Sequence, residues 1–518
     1  MQSLSRSPEK SSVAVVFFLF IYTFKSDKTM TKQYFLAIDL GATSGRSVLG
    51  CFDGGKMEMK EWSRFKNHII PMSGHLYWDL PALYNETLIA LRRIAAEGIK
   101  LQSVGIDTWG CDFAFFGADG QLLGLPYCYR DSHTEGAQQE FFKRVPAKKV
   151  YERTGIQFMD FNSLFQLDTL RREGCVALKG SDKILFIPDA LAYLLTGRAV
   201  TEYTVASTSQ LLNPKDGDLD ALLLEALGLK RSQFGQMVRP GTTVGELSEQ
   251  VQKSTGVGAV PVVAVAGHDT ASAVAAVPAS DGKFAYLSCG TWSLLGIESP
   301  KPIINSESLR MNFTNEGGLD GTTRFLKNIC GLWLMECSRK EFTCVPADVN
   351  ELNALCLSSK YEGLINPDAP CFAHPESMIG AINEYCRTTK QDVPQSPADY
   401  LRCIFRSLAL RYRQVLEMLT SLAPFAIRRL HVIGGGSLNR HLMQMTANAV
   451  RLPVICGPVE GTALGNLLVQ VRAAGGAGTL VDMRRVAAAS TELRTYEPQD
   501  AEEWNSLYQR FLSVQAKG

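Results

Sequence analysis

The sequence predicts an α/β protein built as two similar halves. Three observations carry this. Short β-branched runs alternate with longer runs of helical period, the pattern of layered α/β folds. A strand, Gly-rich turn, strand unit occurs twice, near Tyr34 and again near Phe284. The chain has 518 residues, which as a prior suggests two to four domains.

The first unit reads YFLAIDL from Tyr34, then GATSGR, then SVLGCF. Further extended segments run from Trp62 to Trp78. Asp79-Leu80-Pro81 opens a helix, Asp as its cap and Pro in its first turn. Leu83, Thr87, Leu91 and Ile94 continue it at helical spacing until Gly98. Val104 to Ile106 is a short strand running into Asp107-Thr-Trp-Gly-Cys-Asp112. Val260 to Ala266 (VPVVAVA) is a Val-rich apolar run, a strand buried on both faces, and it enters Gly267-His-Asp-Thr270 and the helix ASAVAAV.

The second unit reads Phe284 to Leu287, SCGTWS, Leu294 to Ile297, so a joint is expected near residues 276–283. Leu401, Ile404, Phe405, Leu408, Tyr412, Val415, Leu416 and Leu419 define one face of a long helix. The strand Arg429–Ile433, the turn Gly434–Ser437, the helix Asn439–Val450, Val454-Ile455 and a second Gly-rich helix start at Glu460 close the pattern.

Composition narrows the function without naming it. Hydrophobic residues are 46% and charged residues 20%, which are globular proportions. Lys and Arg number 53 against 52 Asp and Glu, with no basic run, so nucleic acid and anionic membranes lack electrostatic support as partners. Thirteen scattered Cys without C-x-x-C read as reduced thiols, and seven His without H-x-x-H offer no zinc site.

At the N-terminus, residues 11–24 read SSVAVVFFLFIYTF between Lys10 and Lys25. A membrane span needs about 20 apolar residues, and no small-x-small cleavage site follows the run. Met30 opens MTKQYFLAIDL. An upstream start-codon choice is the favoured reading of residues 1–31, a membrane anchor the alternative.

No P-loop, no dinucleotide-binding G-x-G-x-x-G and no nucleophile elbow is present. What remains is three Gly-rich turns at strand ends and one acid after a buried strand. That inventory fits phosphate held by turn amides. Asp39, inside an apolar strand, reads as a Mg²⁺-associated carboxylate or as a buried Asp satisfied by turn amides. Its counterpart in the second unit is Ser288, which confines a metal role to the first half. Arg46 reads as a phosphoryl contact or a surface Arg. Asp269 reads as a base at a strand's carboxyl end, as a helix N-cap, or as both. Gly434–Gly436 allows close approach to a flat ligand or makes a tight turn.

DLGATSGR, GIDTWGCDF, GHDTASAV, LSCGTWSL, TNEGG, LKNICGLWL and VIGGGSLN occur in this order between Gln33 and Pro498. Through them the chain resembles the FGGY carbohydrate kinases. GIDTWG, GHDTASA and KNICGLW together point to the branch acting on L-rhamnulose rather than glycerol, xylulose, gluconate or fuculose. The resemblance implies a two-domain actin-like (ribonuclease-H-like) ATPase fold with an interdomain cleft, ATP and Mg²⁺. Ala42, Thr43, Ser44, Gly45 and Arg46 would form the first phosphate turn, Thr291 would lie in the second, and Gly436 would border the adenine nucleotide. Gly110, His268, Asp269, Thr270 and Asn328 match sugar-site positions, Asp269 being the base. Glu336 stands at a nucleotide-contact position where many relatives carry Gln, and near phosphates a carboxylate repels unless it faces the ribose or adenine.

The expected organisation is an extension over 1–31, a sugar and metal domain over 32–278, a nucleotide domain over 279–500 and a tail over 501–518, in a cytoplasmic monomer. The rivals are another FGGY ketose kinase, acting on L-fuculose or L-ribulose, and an actin-like or heat-shock-chaperone-like nucleotide switch that binds protein. No core element needs residues 1–29, so a chain starting at Met30 is expected to stay soluble and fully active. Loss of turnover in that chain, or membrane partitioning of the full one, would contradict the start-codon reading.

Overall fold

A computed structural model describes residues 32–342, 346, 348–373 and 375–518. The N-terminal extension and its apolar run lie outside the described residues. Lys32–Gly518 forms one compact unit. Among the described residues no helix is long and apolar enough to cross a membrane.

The first sheet contains β1 (Gln33–Leu40), β2 (Ser44–Phe52), β3 (Met57–Lys66), β4 (Leu101–Thr108), β5 (Thr242–Glu246) and β6 (Pro261–Ala264), in the order β5-β6-β4-β1-β2-β3. The second contains β7 (Phe284–Cys289), β8 (Trp292–Ser299), β9 (Thr314–Gly317), β10 (Thr323–Cys330), β11 (Arg429–Ile433), β12 (Val454–Cys456) and β13 (Arg494–Tyr496), in the order β9-β10-β8-β7-β11-β12-β13. Each sheet is antiparallel around its first hairpin, parallel through its middle, and closed by an antiparallel edge strand, β5 on β6 in the first and β13 on β12 in the second. The repeated hairpin of the sequence is therefore a repeated sheet topology. The first turn is tighter than GATSGR suggests, because Ser44, Gly45 and Arg46 already belong to β2.

Apolar runs become central strands because both faces are covered. On one face of the first sheet, helix α1 (Leu80–Ala96) packs Leu83, Leu91 and Ile94 against Leu36, Ile38, Val104 and Ile106. Asp79 caps it by accepting from Ala82 N at 3.0 Å. The long helix, α5 in the series below, spans Pro397–Leu422 and buries all eight predicted core residues. A Ser396–Asp399 capping box fixes its start. The residues expected as a tail instead form helix α8 (Ala501–Gln515), which puts Trp504, Leu507, Tyr508 and Phe511 into the same core.

Between these helices lie α2 (Tyr203–Ser207), α3 (Asp269–Ala275), α4 (Trp333–Glu341), α6 (Arg440–Val450) and α7 (Gly461–Ala473). Helix α7 comes late in the chain yet covers the other face of the first sheet. Leu464, Leu467 and Leu468 meet Phe35, Ala37 and Val48 there. A polar chain runs through this contact. Gln470 Nε2 donates to Leu36 O at 3.1 Å and to Asn466 Oδ1 at 2.7 Å, Ser103 Oγ donates to Gln470 Oε1 at 2.7 Å, and Asn466 Nδ2 donates to Asp107 Oδ2 at 2.5 Å.

Helix α3, which carries Asp269, crosses α7 where only glycine fits. A Cβ on Gly465 would overlap the Ser272 carbonyl, a backbone atom that no side-chain rotation can move. Gly465→Ala is expected to cost at least about 3 kcal/mol and to lower turnover with it. Gly258→Ala, whose Cβ would meet nothing within 4 Å, should change stability by less than about 0.5 kcal/mol. Equal melting temperatures for the two variants would contradict this contact.

Candidate active site

The hairpin turns of the two sheets and the strand end before α3 open onto one cleft of about 330 Å³. Gly41, Ala42 and Thr43 line it from the β1–β2 turn, Gly290 and Thr291 from the β7–β8 turn, and His268, Asp269 and Thr270 from the start of α3. Gly110, Asn328, Gly434 and Gly435 also line it, as the sequence led one to expect. Asn67 holds the first turn, its side chain donating to Gly41 O at 3.0 Å and its N–H to Thr43 O at 3.2 Å.

Several expected residues stand behind the cleft wall. Arg46 faces Asp39 across the β1–β2 ladder, its Nε and Nη2 donating to Asp39 Oδ2 at 2.9 and 2.7 Å. Its Nη1 pairs with Glu460. Gly45 is glycine for packing, since a Cβ would meet the Phe65 ring. Gly436 is buried against Cys289, whose Sγ a Cβ would overlap, so Gly434 and Gly435 face the cleft instead. Glu336 lies on α4 and pairs with Arg339 at 2.7 Å. That pairing offsets its charge locally.

Asp39 and Asp107 are direct neighbours in the parallel β1–β4 register. Burial raises both carboxyls; for Asp39 the Arg46 charge opposes it, and for Asp107 the Asp39 charge adds to it. Both Arg46 bonds fall on Asp39 Oδ2, and Asp107 Oδ1 is buried without a donor among the described residues. Such a pair fits Mg²⁺, which takes one or two carboxylates and completes its shell with phosphate and water.

Asp269 is not the helix cap that sequence allowed. His268 occupies that position and Asp269 is the first helical residue. Its Oδ1 accepts from Thr270 N at 2.5 Å and Thr270 Oγ1 at 3.1 Å, and lies 3.4 Å from His268 Nε2. All three contacts fall on Oδ1. Behind the loop, Glu202 Oε2 accepts from Gly267 N at 3.0 Å, and His268 N donates to Thr204 Oγ1 at 3.3 Å.

The sequence reading missed most of the cleft's aromatic wall. Trp109, Tyr129, Phe161 and Trp292 line it, with Gln157 and Asn162. Gln157 Oε1 accepts from Asn328 N and Nδ2 at 3.0 and 3.1 Å, joining residues from the two halves. The GIDTWGCD segment carried one usable signal, its second acid. Asp112 is fully buried and accepts from Trp78 Nε1 at 2.6 Å, Trp109 Nε1 at 2.9 Å, Tyr129 N at 3.1 Å and Gln166 Nε2 at 2.8 Å. It orients two residues of the wall at once.

Two turns of backbone amides opening onto one cleft, with Asp269 at the strand end beside them, define a phosphotransferase of the actin-like ATPase class. The N-terminal domain of the FGGY family of carbohydrate kinases matches residues 34–276 and the C-terminal domain matches residues 285–474. The chain belongs to this family, and its co-substrate is ATP. A rhamnulokinase of Bacteroides thetaiotaomicron is 54% identical over 482 residues, covering 93% of this chain and 99% of that one. One from Pectobacterium atrosepticum is 41% identical over 491 residues, covering 94% and 97%. Among solved structures, gluconate kinase from Lactobacillus acidophilus superposes with a TM-score of 0.79 at 15% identity, covering 94% of this chain and 98% of that one. Plasmodium falciparum glycerol kinase with ADP superposes at 0.75 and 14% identity, with the same coverage. These two likenesses establish the fold.

Burial raises the Asp112 carboxyl to about 6, against the pull of its four donors. An unfolded Asp titrates near about 3.9, so between about pH 4 and pH 6 the folded chain holds a proton that the unfolded chain has lost. This group's contribution is complete below about pH 4 and falls by roughly 1.4 kcal/mol per pH unit up to about pH 6. Asp112→Asn cannot titrate, so the wild type should lose stability relative to it as pH rises through that window. Urea unfolding of both proteins across the window checks this, and parallel curves would mean that Asp112 titrates normally.

Proposed function

We propose that this chain transfers the γ-phosphoryl group of ATP to the 1-hydroxyl of L-rhamnulose, giving L-rhamnulose 1-phosphate and ADP. The observation that carries the chemistry is Asp269. It stands at the cleft between the two hairpin turns with one carboxylate oxygen tied by neighbouring donors. The choice of sugar follows the relatives named rhamnulokinase, one of them more than half identical along nearly the whole chain.

In this reading the first half holds the sugar and the second half the nucleotide. Asn328 and Gln157 span the halves beside the sugar, and Gly110, His268 and Thr270 complete its polar contacts. The sugar oxygen attacks the γ-phosphorus as the bond to the β-phosphate oxygen breaks. Asp269 Oδ2 orients the hydroxyl and accepts its proton as the new bond forms. Amides of the Gly41–Thr43 and Gly290–Thr291 turns face the phosphates, and Arg46 holds Asp39 in place from behind. Asp39, with Asp107 beside it, would hold Mg²⁺, which neutralises phosphate charge when bound. The aromatic wall excludes water, a competing acceptor that would waste ATP.

Asp269→Asn keeps the shape and removes the proton acceptor. General-base loss typically lowers kcat by ~10²–10⁴-fold, while the lost first-turn charge changes stability by at most about 1 kcal/mol. Sugar and nucleotide should still bind. The measurement is ADP release with L-rhamnulose, L-fuculose and L-ribulose, alongside the melting temperature of the same variant. Near-normal turnover in a folded Asn variant would remove Asp269 from the chemistry, and a preference for another ketose would reassign the sugar.

A further inference from the structure

The segment TNEGG delivers an acid that the reaction above does not use. Glu316 on β9 and Arg324 on β10 are direct cross-strand partners. Both are buried, Arg324 completely. Arg324 Nη1 lies 3.0 Å from Glu316 Oε2, and its Nε donates to Gly317 O at 2.9 Å. Removing such a pair from water costs several kcal/mol per ion. Packing alone gives no reason to place it here.

The pair ends on the ring of His268, which belongs to the first half. Arg324 Nη2 is 3.1 Å from His268 Nδ1, and Glu316 Oε2 is 3.3 Å from the same atom. On the far side of the ring, Nε2 faces Asp269 Oδ1. A guanidinium only donates, so Nδ1 can receive it only without a proton. The imidazole proton then sits on Nε2 and points at Asp269. Either neutral tautomer leaves a lone pair beside a carboxylate oxygen, Glu316 Oε2 at Nδ1 or Asp269 Oδ1 at Nε2, and the closer Arg324 donor at Nδ1 favours the bare Nδ1.

We propose that Arg324 and Glu316 are positioning residues for phosphoryl transfer: Arg324 fixes the Nε2–H tautomer of His268, and that N–H holds Asp269 Oδ1 so that Oδ2 stays turned to the sugar hydroxyl. Glu316 holds Arg324 in place and balances its charge. Burial alone would raise the Glu316 carboxyl, but the Arg324 charge opposes it, and Glu316 stays below its ordinary value, as an anion. Strand β9 is itself fixed to the first half, because Gly317 N donates to Ser207 Oγ on α2 at 2.7 Å. The acceptor's orientation thus depends on a strand of the second sheet. This inference rests on Asp269 being the proton acceptor.

The test uses the full chain with Glu316→Gln and Arg324→Lys, each alone and with His268→Gln. In the singles, kcat for L-rhamnulose should fall about tenfold or more, with both KM values within about twofold. On the His268→Gln background the further loss should be less than about twofold, because the effect passes through the ring. ¹⁵N spectra of the histidine-labelled wild type, with His268 assigned by its loss in His268→Gln among seven histidines, should show Nδ1 bare and Nε2 protonated. A protonated Nδ1, unchanged kcat in folded variants, or full additivity with His268→Gln would overturn the proposal. Where Glu316→Gln or Arg324→Lys fails to fold, the spectrum, which needs only the wild type and His268→Gln, decides it. Normal turnover in Asp269→Asn would instead defeat the base assignment, whatever the nitrogens show.

Discussion

The molecule depends on one close contact between backbones, that of α7 against α3 and the first sheet. Gly465 lets the two helices touch, and Asn466 and Gln470 extend the contact as hydrogen bonds to Asp107, Ser103 and the β1 backbone. Through it a helix from late in the chain completes the core under the first hairpin turn and backs the helix that starts at Asp269. Leucines alone would supply burial without register. Buried amides with one satisfying geometry specify where along the sheet the helix sits.

Around that scaffold the cleft gathers acids that are costly to bury. Asp39, Asp107, Asp112 and Glu202 are all pushed toward the neutral form by burial. Each is answered differently. Asp39 has Arg46, Asp112 has two indoles and two amide donors, and Glu202 has the backbone of the His268 loop. Asp107 has only Asn466 and an unanswered oxygen. The least satisfied acid therefore stands beside the one that carries the Arg46 pair.

Much of this was legible in the sequence. Two hairpins with Gly-rich turns gave the repeated sheet, and Asp79, Gly98 and the eight-residue apolar face set helix boundaries and a core. Asp269 stood out at the carboxyl end of a buried strand, although an acid there could equally have been the helix cap that His268 turns out to be. The reading failed where chemistry depends on pairs distant in sequence. Nothing local to Gln157 announces Asn328, and nothing near Glu316 announces His268, since both pairs form only when the halves meet. Gly45 and Gly436 meet a packing demand that sequence hides for a related reason. A glycine needed by Phe65 or Cys289 looks the same in sequence as one needed by a ligand.

The position of α7 also constrains how the protein is made. Strands β1, β2 and β4 leave the ribosome early, but the face carrying Phe35, Ala37 and Val48 has its cover only at residues 461–473. At ~5–20 residues per second, that interval lasts on the order of tens of seconds. The nascent first sheet spends it with an apolar face open to solvent, and the half synthesised first is finished by the half synthesised last. Translation speed and chaperone cover over the middle of the message then bear directly on yield, whereas the second sheet, whose own helices follow it closely, waits for nothing upstream.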